Sequence, residues 1–305
     1  MAKNRRIGIA IHGGATSGIE YSEQTRALYE DALTQAITQG YNVLFKGNSA
    51  IEAVEAAVIA LEDNPLFNAG CGSALNNTGE IEMDAAIMDG KYLHCGAVAM
   101  LQGIKNPVSL AKGVLDNSKH VMLGGKAALD FGVNMGMIPL SKSYFISDRN
   151  INSFVLPQSP SENEAGINGR KYGTVGAVAL DKNGNLAAAT STGGITDRHA
   201  GRIADSCIIG AGCYANNETC AVSATGSGEY IIRYVLAHDI SALIEYGGKT
   251  LQQACDYVIQ EKGKERHGEM GVITIDPAGN IVCCFNTKGM WRALISIDQP
   301  LLVTL

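Results

Sequence analysis

The sequence predicts an α+β sandwich in which antiparallel sheets lie between helical layers. Three observations carry this reading. The second half contains two β-hairpins of one design. Residues 176–181 turn through Lys182-Asn183-Gly184-Asn185 into 186–191, and residues 271–276 turn through Pro277-Ala278-Gly279-Asn280 into 281–286. The units align at a constant offset, Asp181 with Asp276 and Gly184-Asn185 with Gly279-Asn280, which fits two similar hairpins in packed sheets and is too long a period for a solenoid. Helical patterns bracket the strands in both halves. Finally, 46% of residues are hydrophobic and 18% charged, enough to build a sizeable core in 305 residues.

Each element follows from local pattern. Residues 7–11 alternate into a first strand that ends in a tight turn at His12-Gly13-Gly14-Ala15. Residues 22 to about 46 carry an apolar stripe through Leu28, Leu33, Ile37, Val43 and Leu44, the spacing of one helix face. Ser49 and Glu52 form a capping box for a second helix, with Ile51, Val54, Val58 and Leu61 on its apolar face. That helix stops at Asp63-Asn64-Pro65, because the residue before proline resists helical geometry. Residues 66–72 form a loop both apolar and glycine-rich, whose buried carbonyls need either tight self-packing or a bound cation. Strands follow at 83–88 and 94–100 around Asp89-Gly90, with helices from 106 to about 115 and from 125 to 131. Residues 141–170 are polar, contain Pro157 and Pro160, and read as the one linker-like segment. Later helices are predicted from 229 to about 246 and from 250 to 262.

Composition excludes several functions. Net charge is −6 with no Lys/Arg cluster, so nucleic acid and anionic membranes are poor partners. The apolar run after the basic start is too short for a signal peptide, and no stretch approaches a membrane span. The eight cysteines show no C-x-x-C spacing and read as free thiols of a cytoplasmic protein. Gly210-Ala-Gly212-Cys-Tyr-Ala215 nearly matches a dinucleotide fingerprint, but no helix follows it, so it is a turn. Tyr246-Gly247-Gly248-Lys249-Thr250 lacks the first glycine of a phosphate loop and reads as a helix end followed by the next helix's cap. The six histidines lack ligand spacing and are assigned to the surface or to satisfied core positions.

The chemistry centres on Thr174, where a polar stretch turns into an apolar strand directly after Gly173. A threonine hydroxyl is a weak nucleophile and needs a base. Cleavage of the Gly173–Thr174 bond would free an α-amine, of pKa about 7.7–8.0, to serve as that base. Two further Thr-Gly steps, Thr192-Gly193 and Thr225-Gly226, close strand-like runs, and the second precedes a helix N-terminus that offers donors to an oxyanion. From spacing alone, the three threonines are equally well ordinary strand-end residues.

Longer blocks break that tie. The segments 9–15, 64–70, 83–90 and 96–99, Gly173-Thr174-Val175-Gly176-Ala177-Val178-Ala179, Thr190-Ser191-Thr192-Gly193-Gly194 and Gly201-Arg202-Ile203-Ala204-Asp205-Ser206 together resemble the isoaspartyl peptidase/L-asparaginase family of N-terminal nucleophile hydrolases. The resemblance implies a four-layer αββα sandwich, one domain over residues 1–305. It implies self-cleavage into 1–173, with a flexible tail at about 157–173, and 174–305. Thr174 is then the nucleophile, Thr192 holds and tunes it, and Thr225 with Gly226 forms the oxyanion hole. Arg202 clamps the substrate's α-carboxylate and Asp205 its α-ammonium, with Gly193 and Asn68 beside them. Gly before the nucleophile resembles the branch that hydrolyses asparagine and β-aspartyl dipeptides. The backbone carbonyls of Leu61, Glu62, Asn64, Phe67, Ala69 and Cys71 would enclose a structural Na⁺ or K⁺. No cofactor serves the chemistry, and the expected assembly is a dimer of αβ heterodimers. The alternative, an uncleaved and catalytically silent homologue serving as a binding module, has no need of Thr174, Thr192, Arg202, Asp205 and Thr225 together.

Overall fold

β1 (Gly8–Thr16) is the strand on which the two halves of the chain meet. A computed structural model describes residues 6–16, 21–147, 150–151, 154, 173–263 and 268–305. The expected tail at 157–172 lies outside these residues. Following β1 come α1 (Glu23–Phe45), α2 (Ala50–Glu62), β2 (Met83–Asp89), β3 (Cys95–Leu101), α3 (Pro107–Asn117), β4 (Met122–Gly124) and α4 (Gly125–Asn134). The second half supplies β5 (Thr174–Leu180), β6 (Leu186–Thr192), β7 (Cys213–Ala215), β8 (Ala221–Gly226), α5 (Gly228–Tyr234), α6 (Leu236–Glu245), α7 (Leu251–Asp256), β9 (Met270–Ile275), β10 (Ile281–Phe285), β11 (Gly289–Ser296) and β12 (Leu302–Thr304). The fold is mixed α and β with two sheets. The larger has the order β12-β11-β1-β5-β6-β2-β3-β4 and the smaller β10-β9-β8-β7. Every pairing is antiparallel except β3 with β4.

Strand alternation sorts the core into three apolar clusters. Ile9 and Ile11 of β1 and Val175, Ala177 and Ala179 of β5 pack with Leu33, Ile37, Val54, Val58 and Leu61 of α1 and α2. The opposite faces, Ala10, Val178, Leu180, Leu186 and Ala188, meet Ile273 and Ile275 of the smaller sheet. Beyond that sheet, Val222, Ala224 and Val272 pack against Ile231, Leu236, Ile240, Ala254 and Cys255. Among the described residues no helix is long and apolar enough to cross a membrane.

The repeated hairpins fall one in each sheet, β5–β6 and β9–β10, as the offset predicts. Their shared aspartate explains the shared sequence. Asp181 Oδ1 accepts from the N–H of Asn183 and Asn185, and Asp276 Oδ1 from Ala278 and Asn280. The capping box at Ser49 and Glu52 forms, and Thr250 caps α7 as read. The segment at 210–212 is a turn leading into β7.

Three expectations are corrected, and one strand had none. The first strand does not end at His12 but continues to Thr16 across a bulge between His12 and Gly14, where Gly14 takes φ +110°. The helix predicted from 229 to 246 breaks at Val235, which sits at φ +49°. The break lets Ala237 and His238 at the start of α6 donate to the carbonyls of Ala211 and Gly210. The helix from 250 continues beyond Asp256 only as a π-helical stretch, Tyr257–Lys262. Strand β11, which pairs with β1 along its length, carried no local signal because its partner lies at the other end of the chain.

The two hairpin aspartates differ in burial, and this gives a stability prediction. Asp181 is 1% exposed and also accepts from Ala50 N of α2, whereas the bonds of Asp276 lie at the surface. Asp181→Ala strands buried donors and should cost about 2–3 kcal/mol, against about 1 kcal/mol for Asp276→Ala. Urea unfolding of both variants measures the difference; equal losses would contradict the assignment.

Candidate active site

Period-two alternation brings the three threonines to one layer. Thr174 shares its strand face with Val178 and Leu180, Thr192 with Ala188 and Leu186, and Thr225 with Ala221. Those apolar partners lie between the sheets, so the threonines line the same inter-sheet space at its other end. Thr174 is directly opposite Thr192 in the β5–β6 register, and all three threonines are buried.

Around Thr174 the polar groups are knit together. Thr192 Oγ1 donates to the carbonyl of Gly173 at 3.2 Å and accepts from Gly194 N at 3.0 Å. Asn68 Nδ2 donates to the carbonyl of Gly194 at 2.5 Å, while Asn68 Oδ1 accepts from Ala74 N. Gly193 N in turn donates to the carbonyl of Asn68. Both glycines are needed for close approach. A Cβ on Gly173 would come within 2.7 Å of Asn68 Cβ, and one on Gly193 within 2.6 Å of Asn68 Oδ1. Gly14 closes the other side, where a Cβ would meet Gly173 Cα at 3.0 Å and Thr174 N at 3.4 Å. Its neighbour Ala15 donates to Thr225 Oγ1 at 3.2 Å, leaving the Thr225 hydroxyl proton for another acceptor. Gly226 follows at φ +131°, with no room for a side chain beside the Glu269 carbonyl.

Arg202 and Asp205 converge at the start of α5. A Cβ on Gly228 would lie 2.8 Å from Arg202 Nη2 and 2.7 Å from Asp205 Oδ1, so opposite charges flank one small space. Arg202 Nε also pairs with Glu229 Oε1 at 2.9 Å. Asp205 is 2% exposed and, among the described residues, its Oδ2 has no hydrogen-bond partner. Burial pushes its carboxyl up to about 7, against the pull of Arg202. A partly exposed guanidinium beside a buried carboxyl with an unsatisfied oxygen suits a zwitterion, whose carboxylate and ammonium would meet groups of opposite charge.

The loop at 61–72 packs against itself and against this site. Asn64 N donates to the Leu61 carbonyl, Phe67 N to Asn64 and Gly72 N to Ala69. The carbonyls of Glu62 and Phe67 turn onto Gly70 and Gly72, where any side chain would collide with them. Phe67 lies against Gly13 and edge-on to Tyr29, which stacks on Trp291 at 4.7 Å, tying the loop to β1 and β11. The side chain of Cys71 is half-buried.

Sequence reading missed four buried groups here. His12 is not at the surface, nor is it a fully satisfied core residue. Its Nε2 meets Ser223 Oγ at 3.0 Å, Ser223 Oγ meets Thr190 Oγ1 at 2.8 Å, and Thr190 donates to the Gly212 carbonyl at 3.0 Å. A carbonyl only accepts, so the chain of protons runs from His12 Nε2–H toward Gly212, and the imidazole also faces the Thr174 backbone. Glu62 accepts from Ser191 Oγ and Val108 N, and burial lifts its carboxyl to about 8. Asp84, opposite Thr192 on β2, accepts from Ala204 N and Met100 N. Arg198 donates to the carbonyls of Gly193 and Glu82. Most of their partners are distant in sequence, and no local pattern marks these side chains.

Known proteins resemble this chain over nearly its whole length. A family profile described as Asparaginase matches residues 5–302. The isoaspartyl peptidase of Salmonella typhimurium is 43% identical over 293 residues, 93% of this chain and 94% of that protein. That of Escherichia coli is 44% identical, covering 93% and 91%. The human isoaspartyl peptidase/L-asparaginase is 41% identical over 286 residues, covering 93% and 92%.

Burial pushes the His12 imidazole from 6.5 down to about 3. Between these values the unfolded chain binds a proton that the folded chain refuses, so stability present at neutral pH is lost as pH falls from about 6.5 toward 3, on the order of 4 kcal/mol in all. His12→Gln removes this titration and should flatten the fall in stability between pH 6.5 and about 4. Urea unfolding of both proteins across that range is the check; parallel curves would show His12 to be uninvolved.

Proposed function

The chain belongs to the asparaginase family, and on that premise we propose that it is an autoprocessing amidohydrolase acting on L-asparagine and β-aspartyl dipeptides. One observation carries the reading: the Thr192 hydroxyl donates to the carbonyl oxygen of Gly173, the residue before Thr174. In maturation Thr174 Oγ attacks that carbonyl carbon while Thr192 stabilises the developing oxyanion. The Gly173–Thr174 C–N bond breaks as an ester forms on Oγ, water hydrolyses that ester to free the Gly173 carboxylate, and Thr174 keeps a free α-amine that accepts the hydroxyl proton in later turnovers.

In turnover the substrate's α-carboxylate meets Arg202 and its α-ammonium meets Asp205, which presents the side-chain amide to Thr174. Attack by Oγ forms a tetrahedral oxyanion that the Thr225 hydroxyl and Gly226 N–H receive. The amine of Thr174 passes its proton to the leaving ammonia or amino acid, and water then hydrolyses the ester on Thr174. The names of the human and bacterial relatives support both substrates. The three apolar clusters support the four-layer αββα arrangement within one domain.

The loop carbonyls of Leu61, Glu62, Asn64, Phe67, Ala69 and Cys71 would hold an alkali cation, Na⁺ or K⁺, which is structural and takes no part in the chemistry. Glycines at 70 and 72 let the Glu62 and Phe67 carbonyls approach the loop closely, and carbonyl oxygens suit such an ion. A cytoplasmic setting accords with eight unpaired cysteines. A dimer of αβ heterodimers completes the reading; the exposed Val121 and Met122 at and beside edge strand β4 suit a contact with a second copy.

Intact mass and ammonia release test the mechanism together. The protein should appear as fragments 1–173 and 174–305 and release ammonia from asparagine, while Thr174→Val stays whole and inactive. A chain that remains whole yet turns over asparagine would refute the nucleophile assignment.

Asp205 supplies a pH test. Its carboxyl stands near 7 in the empty site, and an ammonium beside it favours the ionised form. Binding of aspartate at about pH 6 should therefore release up to one proton, and affinity should rise with pH until about 7. Calorimetry in buffers of different ionisation enthalpy reads the proton. No release, with affinity flat over this range, would remove Asp205 from ammonium recognition.

A further inference from the structure

The buried cation Arg198 has no part in the chemistry above, yet it touches the turn beneath the nucleophile. Its side chain is 2% exposed. Its Nη1 donates to the carbonyl of Gly193 and its Nη2 to that of Glu82, and the Glu82 carboxylate lies 3.7 Å from Nη2. Glu82 in turn accepts from Asn76 Nδ2 and Gly201 N. Burying a guanidinium is costly unless it is paired and hydrogen-bonded. Among the described residues the Glu82 carboxylate pairs with it only at 3.7 Å, and Nε has no hydrogen-bond partner. An apolar side chain would fill the space without that cost, so a role for the charge and its two donors is the simpler account.

The geometry of one peptide unit supplies that role. The carbonyl of Gly193 and the N–H of Gly194 belong to the same planar trans peptide and point in opposite directions. Arg198 holds the oxygen end, and the N–H end donates to Thr192 Oγ1 at 3.0 Å. Gly194, at φ +81°, leaves no room for a Cβ beside Arg198 Nη1, so the contact is close-packed. With one lone pair of Thr192 occupied by that N–H, its single proton is directed to the Gly173 carbonyl. We infer that Arg198 is a positioning residue of this reaction: by fixing the Gly193–Gly194 peptide it orients the Thr192 hydroxyl on the Gly173–Thr174 junction and afterwards on the Thr174 amine.

This inference rests on the proposed nucleophile chemistry, and a double-mutant cycle separates the two. The variants are Arg198→Met, Thr192→Val and the pair. Self-cleavage is followed by intact mass, and kcat and KM for asparagine are measured on the cleaved fraction. Arg198→Met alone should slow cleavage and lower kcat about 10- to 100-fold with KM within about threefold, but less than about threefold in the Thr192→Val background, because residues acting as a unit are not additive. Equal fold-losses in both backgrounds, or wild-type rates in a folded Arg198→Met protein, would overturn it. If Arg198→Met does not fold, Arg198→Gln carries the same cycle. Hydrogen exchange at the Gly194 amide reads the link without activity: exchange should quicken at least about tenfold when Arg198 is replaced, and retained protection would overturn the inference. A wild-type chain that neither cleaves nor releases ammonia would instead refute the function reading.

Discussion

The site depends on the pairing of β5 on both of its edges. β1 binds one edge through His12↔Gly176 and its neighbours, and β6 binds the other from Leu180↔Leu186 to Thr174↔Thr192. A strand held on both sides cannot shift register by one residue without moving every side chain to the opposite face. Thr174, as its first residue, therefore has a fixed place and a fixed direction. The same pairing ends at Gly173, where the chain leaves the sheet and the backbone becomes free to meet Asn68 and Gly14. Immobility on one side of a peptide bond and open approach on the other is what a reacting junction requires.

The inter-sheet layer changes character along its length. At the hairpin end it is filled by Val178, Leu180, Leu186, Ile273 and Ile275. At the other end the same strand faces carry Thr174, Thr190, Thr192, Ser223 and Thr225, with His12 among them. The apolar end supplies the burial that holds the sheets together, and the polar end is held in place by that packing. Several buried polar atoms around this polar end have no hydrogen-bond partner among the described residues: Ser73 Oγ, Arg198 Nε and Asp205 Oδ2. Such atoms cost stability. Their position fits a site that keeps polar capacity in reserve for a ligand, where the general expectation is that activity and stability compete.

What the sequence determined by itself is local and repetitive. The hairpins, their aspartate-held turns, the capping box at Ser49 and the Thr-Gly steps all rest on contacts within a few residues, so pattern and turn chemistry suffice to read them. The order of longer blocks also marked Thr174, Thr192, Thr225, Arg202 and Asp205, because a family's motifs survive as short strings. Only the tertiary structure decided how these strings meet. The continuation of β1 through Gly13 and Gly14, the pairing of β1 with β11, and the break at Val235 each serve a partner distant in the chain. Arg198, His12 and Glu62 likewise stayed silent in sequence, since a single side chain carries no period. Their meaning lies in which carbonyls and hydroxyls the packed sheets bring within hydrogen-bond distance, and that is fixed by three-dimensional register alone.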